Sequence, residues 1–171
     1  AMLLADWSEE DKERFVSQGY PSYWLSFDPE TQARHARLMR DADQRKAPLT
    51  VDTQPLPARA VTEVTVYCAD HAGLFSKISG ALAVAGASIV DARIHTMTNG
   101  MALDTFWVQD AAGGTFDAPH RLRGFAGVEE QDESARRIGR AMLLQHRDTG
   151  AGRRQDDRPG LRLRGRGRAR R

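Results

Sequence analysis

VTEVTVYCADHAGLFSKISGALAVAGASIVDARIHTMTNGMALDTFWVQD, residues 61–110, is the stretch whose reading decides the fold. From residue 61 the period is two: Val64, Val66 and Cys68 point one way and Glu63, Thr65 and Tyr67 the other, which predicts a strand with a helix on one face. Leu74, Phe75, Ile78, Leu82 and Ala85 then recur at three- and four-residue spacing, the stripe of a helix lying on that face, and Gly86 is placed to end it in the left-handed region. Two further alternating runs follow. In 88–97, Val90, Ala92 and Ile94 share a face; in 102–108, Asp104, Phe106 and Val108 do. A two-residue Asn99-Gly100 hairpin would set the apolar sets on opposite sides. A three-residue loop, 98–100, with Gly100 in the left-handed region, pairs Ala92 with Phe106 and restores one core face.

Working outward, Ser8 caps the acidic turn Glu9-Glu10-Asp11 and predicts a helix over 9–18, ended by Gly19 and Pro21. Asp28-Pro29-Glu30 repeats the signal for a helix to about residue 45. Between them Tyr20, Tyr23, Trp24, Leu25 and Phe27 are too concentrated for a solvent loop and are expected to pack on the helices or a neighbouring domain. Pro48, Pro55 and Pro57 favour a linker or edge strand over 46–60. Met97, Met101 and Trp107 fall on strand faces turned away from the helix, where an open sheet surface would seek another domain. The expected division is a helical segment 1–45 from the end of a preceding domain, a Pro-rich linker 46–60, an α+β regulatory unit 61–122 and a tail 123–171. A helix is expected from Asp117-Ala118-Pro119 and another in ESARRIGRAMLL, whereas the Gly/Arg-rich end is predicted disordered. The abrupt loss of pattern near 123 raises a frame error, and no last strand is evident to complete the sheet.

Charge divides at the same place: residues 1–120 carry 10 Lys+Arg against 16 Asp+Glu, and 121–171 carry 15 against 7, so the overall +2 describes no real surface. The Arg-rich end lacks interleaved aromatics and reads as solvated rather than as a nucleic-acid partner. Cys68, the single cysteine, suits a reducing compartment as a small core residue. No leader and no long apolar run is visible, which favours a cytoplasmic protein without membrane contact. The opening Ala-Met suggests a tag remnant or an excised piece of something longer.

The chemistry concentrates at Asp70, His71, Ala72, Gly73, Leu74 and Phe75. Amides at a helix start are orphan donors beside a positive dipole end, and Gly73 lets a ligand or partner backbone approach, so a free amino acid's carboxylate suits the site. The alternative is structural: Asp70 caps the helix and Gly73 permits tight packing. Both readings stay open. The five histidines show no ligand spacing and Asp41-x-Asp43 lies on a charged helix end, so neither metal binding nor catalysis is expected of this chain.

The loop and the order of elements resemble the ACT family of regulatory domains, which implies a ferredoxin-like β-α-β-β unit, here with no last strand evident to complete it. YPSYWLSFDPETQARHARLMRDAD with the later IVDARIHTMTNGMALDTFWVQDAAGGTFDAPHRL is similar, over about 7–122, to the junction of hydrolase and first ACT domain in the bifunctional uridylyltransferase/uridylyl-removing enzyme family. That resemblance implies a regulatory segment sensing an amino acid, glutamine in that family, with a second ACT domain, the parent's catalytic domains and the PII nitrogen-signalling protein as partners. Mg²⁺ is implied only for the full-length enzyme; the chain itself implies no cofactor. A module that only docks domains is the competing expectation. Asp156-Asp157-Arg158-Pro159-Gly160-Leu161 echoes the loop but has neither strand before it nor apolar helix after it, and reads as coincidence.

Overall fold

Strand-forming residues on both faces of Val61–Ala69 make it the buried centre of the molecule: eight of its nine residues, Val61 to Cys68, are buried. The structure is a computed structural model and describes residues 3–116. Three helices come first: α1, Glu9–Gln18; α2, Pro21–Ser26; and α3, Pro29–Arg45. Then follow β1, Leu49–Leu56; β2, Val61–Ala69; α4, Leu74–Val84; β3, Ser88–Thr96; and β4, Met101–Gln109. The four strands form one antiparallel sheet in the order β1-β2-β4-β3.

The expected pairing is observed. Ala92 lies opposite Phe106 across β3 and β4, Met97 N–H donates to Met101 O at 2.7 Å, and Gly100 sits at φ +78° in the three-residue loop. A bulge between Ile89 and Asp91 takes Val90 out of the ladder, so the alternation read along β3 breaks there. Gly86 ends α4 at φ +81°, with Ala87 N–H donating to Leu82 O at 3.0 Å and Gly86 N–H to Ala83 O at 2.9 Å, the paired bonds of a Schellman ending.

Two findings extend the reading. The Pro-rich stretch is the edge-strand form of its two alternatives: β1 pairs with β2 from Leu49 opposite Cys68 to Leu56 opposite Val61, the side on which a last strand was missed. Pro55 is tolerated because an edge strand has one ladder to serve. A third short helix, α2, is formed by the aromatic cluster itself, started by Pro21 at its first position.

Two apolar layers sandwich the sheet. On one side Ile78, Ala81 and Leu82 of α4 meet Val51, Val64, Val66, Phe106, Val108 and Phe116. Burying each larger side chain contributes roughly 1.5–3 kcal/mol. On the other, the face expected to be open is covered, which corrects that expectation: Met97 and Trp107 are buried with Tyr67 and Leu103 beneath Trp7, Phe15, Tyr23, Phe27 and Met39, and Met101 is partly buried against them. The physical reason lies in the cluster of Tyr23 and its neighbours, which supplies the apolar partner that the sheet face needs. Tyr23 makes edge contacts with Phe15 and Trp24 at 6.3 and 4.9 Å, and with His95 of the sheet at 5.5 Å. Trp24 closes over Gly19, where any Cβ would meet its ring at 2.6 Å, and donates its indole N–H to Gly19 O at 2.9 Å.

Polar groups fasten this second layer. Tyr23 Oη and His35 Nδ1 are 3.1 Å apart, and His35 Nε2 faces the hydroxyls of Thr65 and Thr105 at 3.4 and 3.5 Å. Arg34 reaches buried Glu63 at 2.6 Å. Burial, aided by the Arg34 charge, holds His35 down to about 3, so it is neutral at physiological pH. The helices expected from 117 and in ESARRIGRAMLL, the disordered tail, the frame question and the Asp156–Leu161 echo lie outside the described residues.

Candidate functional site

The six residues picked out by sequence occupy the turn from β2 into α4. Asp70 to Gly73 are exposed, Leu74 is buried into the core and Phe75 is half-exposed, stacked on Phe106 at 5.8 Å and 24° between planes. Gly73 caps α4 at φ +81°, a conformation costing other residues about 1–2 kcal/mol, and no side chain caps the helix. Leu74 N–H donates to His71 O and Lys77 N–H to Gly73 O, both at 3.1 Å. The amides of Phe75 and Ser76 between them have no partner among the described residues.

Asp70 does not cap α4, which removes half of the structural reading. Its Oδ2 accepts from Thr96 Oγ1 of β3 at 2.5 Å, and its N–H donates to Gly100 O at 3.2 Å. The carboxylate therefore ties the turn to the β3–β4 hairpin. His71 is turned back on the chain, its Nδ1 3.0 Å from Ala72 O. The hairpin is held from its other side as well: Thr98 N–H donates to Gln18 O at 2.9 Å and Thr98 Oγ1 to Ser17 O at 3.1 Å.

One residue at this corner was missed as a candidate. Asp104 of β4 is 1% exposed on the α4 side of the sheet, opposite Val66 and Ile94, and its Oδ1 has no hydrogen-bond partner among the described residues. Burial, with the Asp70 charge adding to it, pushes its carboxyl up to about 6 against the pull of the His95 backbone N–H. The signal was present in the sequence: an acid in register with Phe106 and Val108 on a core-facing set. Cys68, close by, is buried and its thiol is pushed up to about 11 by burial and then by Asp104 and Asp70, so it stays a neutral packing group.

Among the described residues no three His, Cys, Asp or Glu side chains gather as a metal site would require. None of their helices is long and apolar enough to cross a membrane.

A four-stranded antiparallel sheet with α4 crossing from β2 to β3 defines an α+β unit that fits the ferredoxin-like ACT type. Over three quarters of its length the chain is similar to a segment of bifunctional uridylyltransferase/uridylyl-removing enzymes, as the residues alone suggested. The relative from Gluconobacter oxydans (strain 621H) is 59% identical over 128 residues, 75% of this chain and 14% of its own length. That from Azospirillum brasilense is 60% identical over 120 residues, 70% of this chain and 13% of its own. That from Rhodospirillum rubrum is 47% identical over 126 residues, 74% and 14%. The chain thus spans about a seventh of the length of the curated relatives it matches. No family model matches the chain. No solved structure matches it.

Proposed function

We propose that this chain is the amino-acid-sensing regulatory segment of a PII uridylyltransferase/uridylyl-removing enzyme, with glutamine as its ligand. The observation that carries the reading is the exposed turn at Asp70–Gly73, opening a helix whose Phe75 and Ser76 amides are unbonded. Such a corner offers a carboxylate two N–H donors and the positive end of a dipole. The names of the relatives supply the parent activity. Regulation follows from differential affinity: a ligand that prefers one arrangement of the turn, and of the domains docked around it, shifts the parent by the ratio of its affinities and no further. The hairpin bonds from Gly100 to Asp70 and from Thr98 to α1 give that preference a route to the helical layer. Titration calorimetry of glutamine into the full chain is expected to show saturable heat, with weaker heat from amino acids lacking the side-chain amide. A flat titration sinks the proposal.

A second reading is favoured by a specific surface. Val90 and Ile94 on edge strand β3 are 50% and 47% exposed, an apolar margin with an unpaired backbone ladder. A module that only pairs would use this edge against another domain or copy. Concentration-dependent association in sedimentation, indifferent to glutamine, would favour it.

A further inference from the structure

The acid at position 104 breaks the logic of the layer that contains it. An ionised carboxylate is expensive to bury unless its oxygens are bonded, and Asp104 is 1% exposed with Oδ1 unpartnered. Its position is set by the ladder. Two residues away on the same face of β4 lie Ala102, opposite Thr96, and Phe106, beneath Phe75. Such neighbours are spaced about 7 Å apart. Asp104 therefore sits between the Phe75–Phe106 stack and the Thr96–Asp70 bond, both of which belong to the turn that opens α4. Ile94, its cross-strand neighbour, is 47% exposed, so the site adjoins solvent on the β3 side.

The corner then has two poles. At one, the Phe75 and Ser76 amides lack an acceptor; at the other, Asp104 receives the His95 backbone N–H but its Oδ1 lacks a donor, and Asp70 adds negative potential. A lone anion would satisfy the first and be repelled by the second. A lone cation would do the reverse. A small zwitterion satisfies both.

We propose that Asp104 is the counter-ion for the ammonium group of an amino acid whose carboxylate is received by the Phe75 and Ser76 amides. This rests on the amino-acid reading above and adds the residue that fixes the ligand's polarity. Asp104 is a specificity residue, and its buried Oδ1 is the atom that selects an α-amino group.

The test combines calorimetry and thermal unfolding of the full chain as wild type, Asp104→Asn and Asp104→Thr. The probes are L-glutamine and its des-amino analogue, 5-amino-5-oxopentanoate. Both variants are expected to melt at higher temperature than wild type without ligand, because a buried charge with an unbonded oxygen is gone. Both are expected to lose glutamine affinity at least tenfold, and to bind the des-amino analogue no more weakly than wild type does. Wild-type affinity for glutamine is expected to weaken as pH is lowered from 7 to 5, a readout that needs no variant. Variants that melt lower and still bind glutamine within twofold of wild type overturn the proposal and leave the sensing reading intact. A wild type that binds neither probe overturns the sensing reading and this inference with it. Stabilisation of wild type by Mg²⁺ or Ca²⁺ alone, abolished in Asp104→Asn, would make the acid a metal ligand and overturn it too.

Discussion

The two faces of the sheet solve the same problem differently. Beneath the helical layer, His35 is buried among Tyr23, Thr65 and Thr105, and buried Glu63 is paired with Arg34. The unbonded buried atoms on that side, Trp7 Nε1, Thr50 Oγ1, His95 Nε2 and Trp107 Nε1, belong to rings and a hydroxyl rather than to a carboxylate, with Arg93 lying 5.2 Å over the Trp107 ring. Beneath α4 the cluster is almost wholly aliphatic and aromatic, yet it surrounds a carboxylate with a free oxygen. One face spends its polar groups on holding elements together. The other keeps one in reserve, beside an open helix end.

The contrast can be broken at the core first. Phe106→Ala empties a fully buried ring that supports both α4 and Phe75, and is expected to cost about 3–5 kcal/mol in urea unfolding. Abolition of glutamine heat with the fold retained would tie the turn to that ring.

Acid sharpens the comparison, because the two faces respond with opposite signs. His35 titrates at about 3 in the fold against an ordinary 6.5, so the unfolded chain binds more protons between those values and this contribution to stability is lost as pH falls. Asp104 titrates at about 6 against 3.8, so the fold binds more protons between those values and the penalty of its charge is relieved as pH falls. Between pH 6 and 4 the two slopes offset. Asp104→Asn is expected to make stability fall with acid over that window by up to about 1.4 kcal/mol per pH unit relative to wild type. His35→Gln is expected to tilt it the other way. Urea midpoints across pH 4–7 check both, and parallel curves for all three proteins would erase the distinction between the faces.

The smallest effect belongs to the turn. A Cβ at Gly73 meets nothing within 4 Å, so Gly73→Ala carries only backbone strain at φ +81°, roughly 1 kcal/mol by thermal unfolding. A much larger loss would mean that the turn is packed rather than open.

Much of this was legible in the residues, for reasons that differ by element. Helix α1 and the start of α3 were announced by Ser8 and Asp28, whose side chains accept from the Asp11 and Thr31 amides, because capping is a local bond. The hairpin register was legible because a one-residue slip would have turned Phe106 away from Ala92. The covering of Trp107 was not, since alternation shows that a strand has two faces and says nothing of what lies over the second. Tyr23 and Phe27 held that answer, but a cluster in sequence does not name the surface it meets. Asp70 to Phe75 were picked out by motif, and they form the turn from β2 into the first residues of α4. Asp104 was placed on the right face and passed over, because its missing partner is a property of three strands at once.

The turn at Thr98–Gly100 has a consequence for how the molecule tolerates change. Three residues are moored to Asp70 on one shore and to the last residues of α1 on the other. Neither mooring passes through the hydrophobic interior, so tension between the Asp70 turn and the helices can be exchanged along the rim without disturbing the hull.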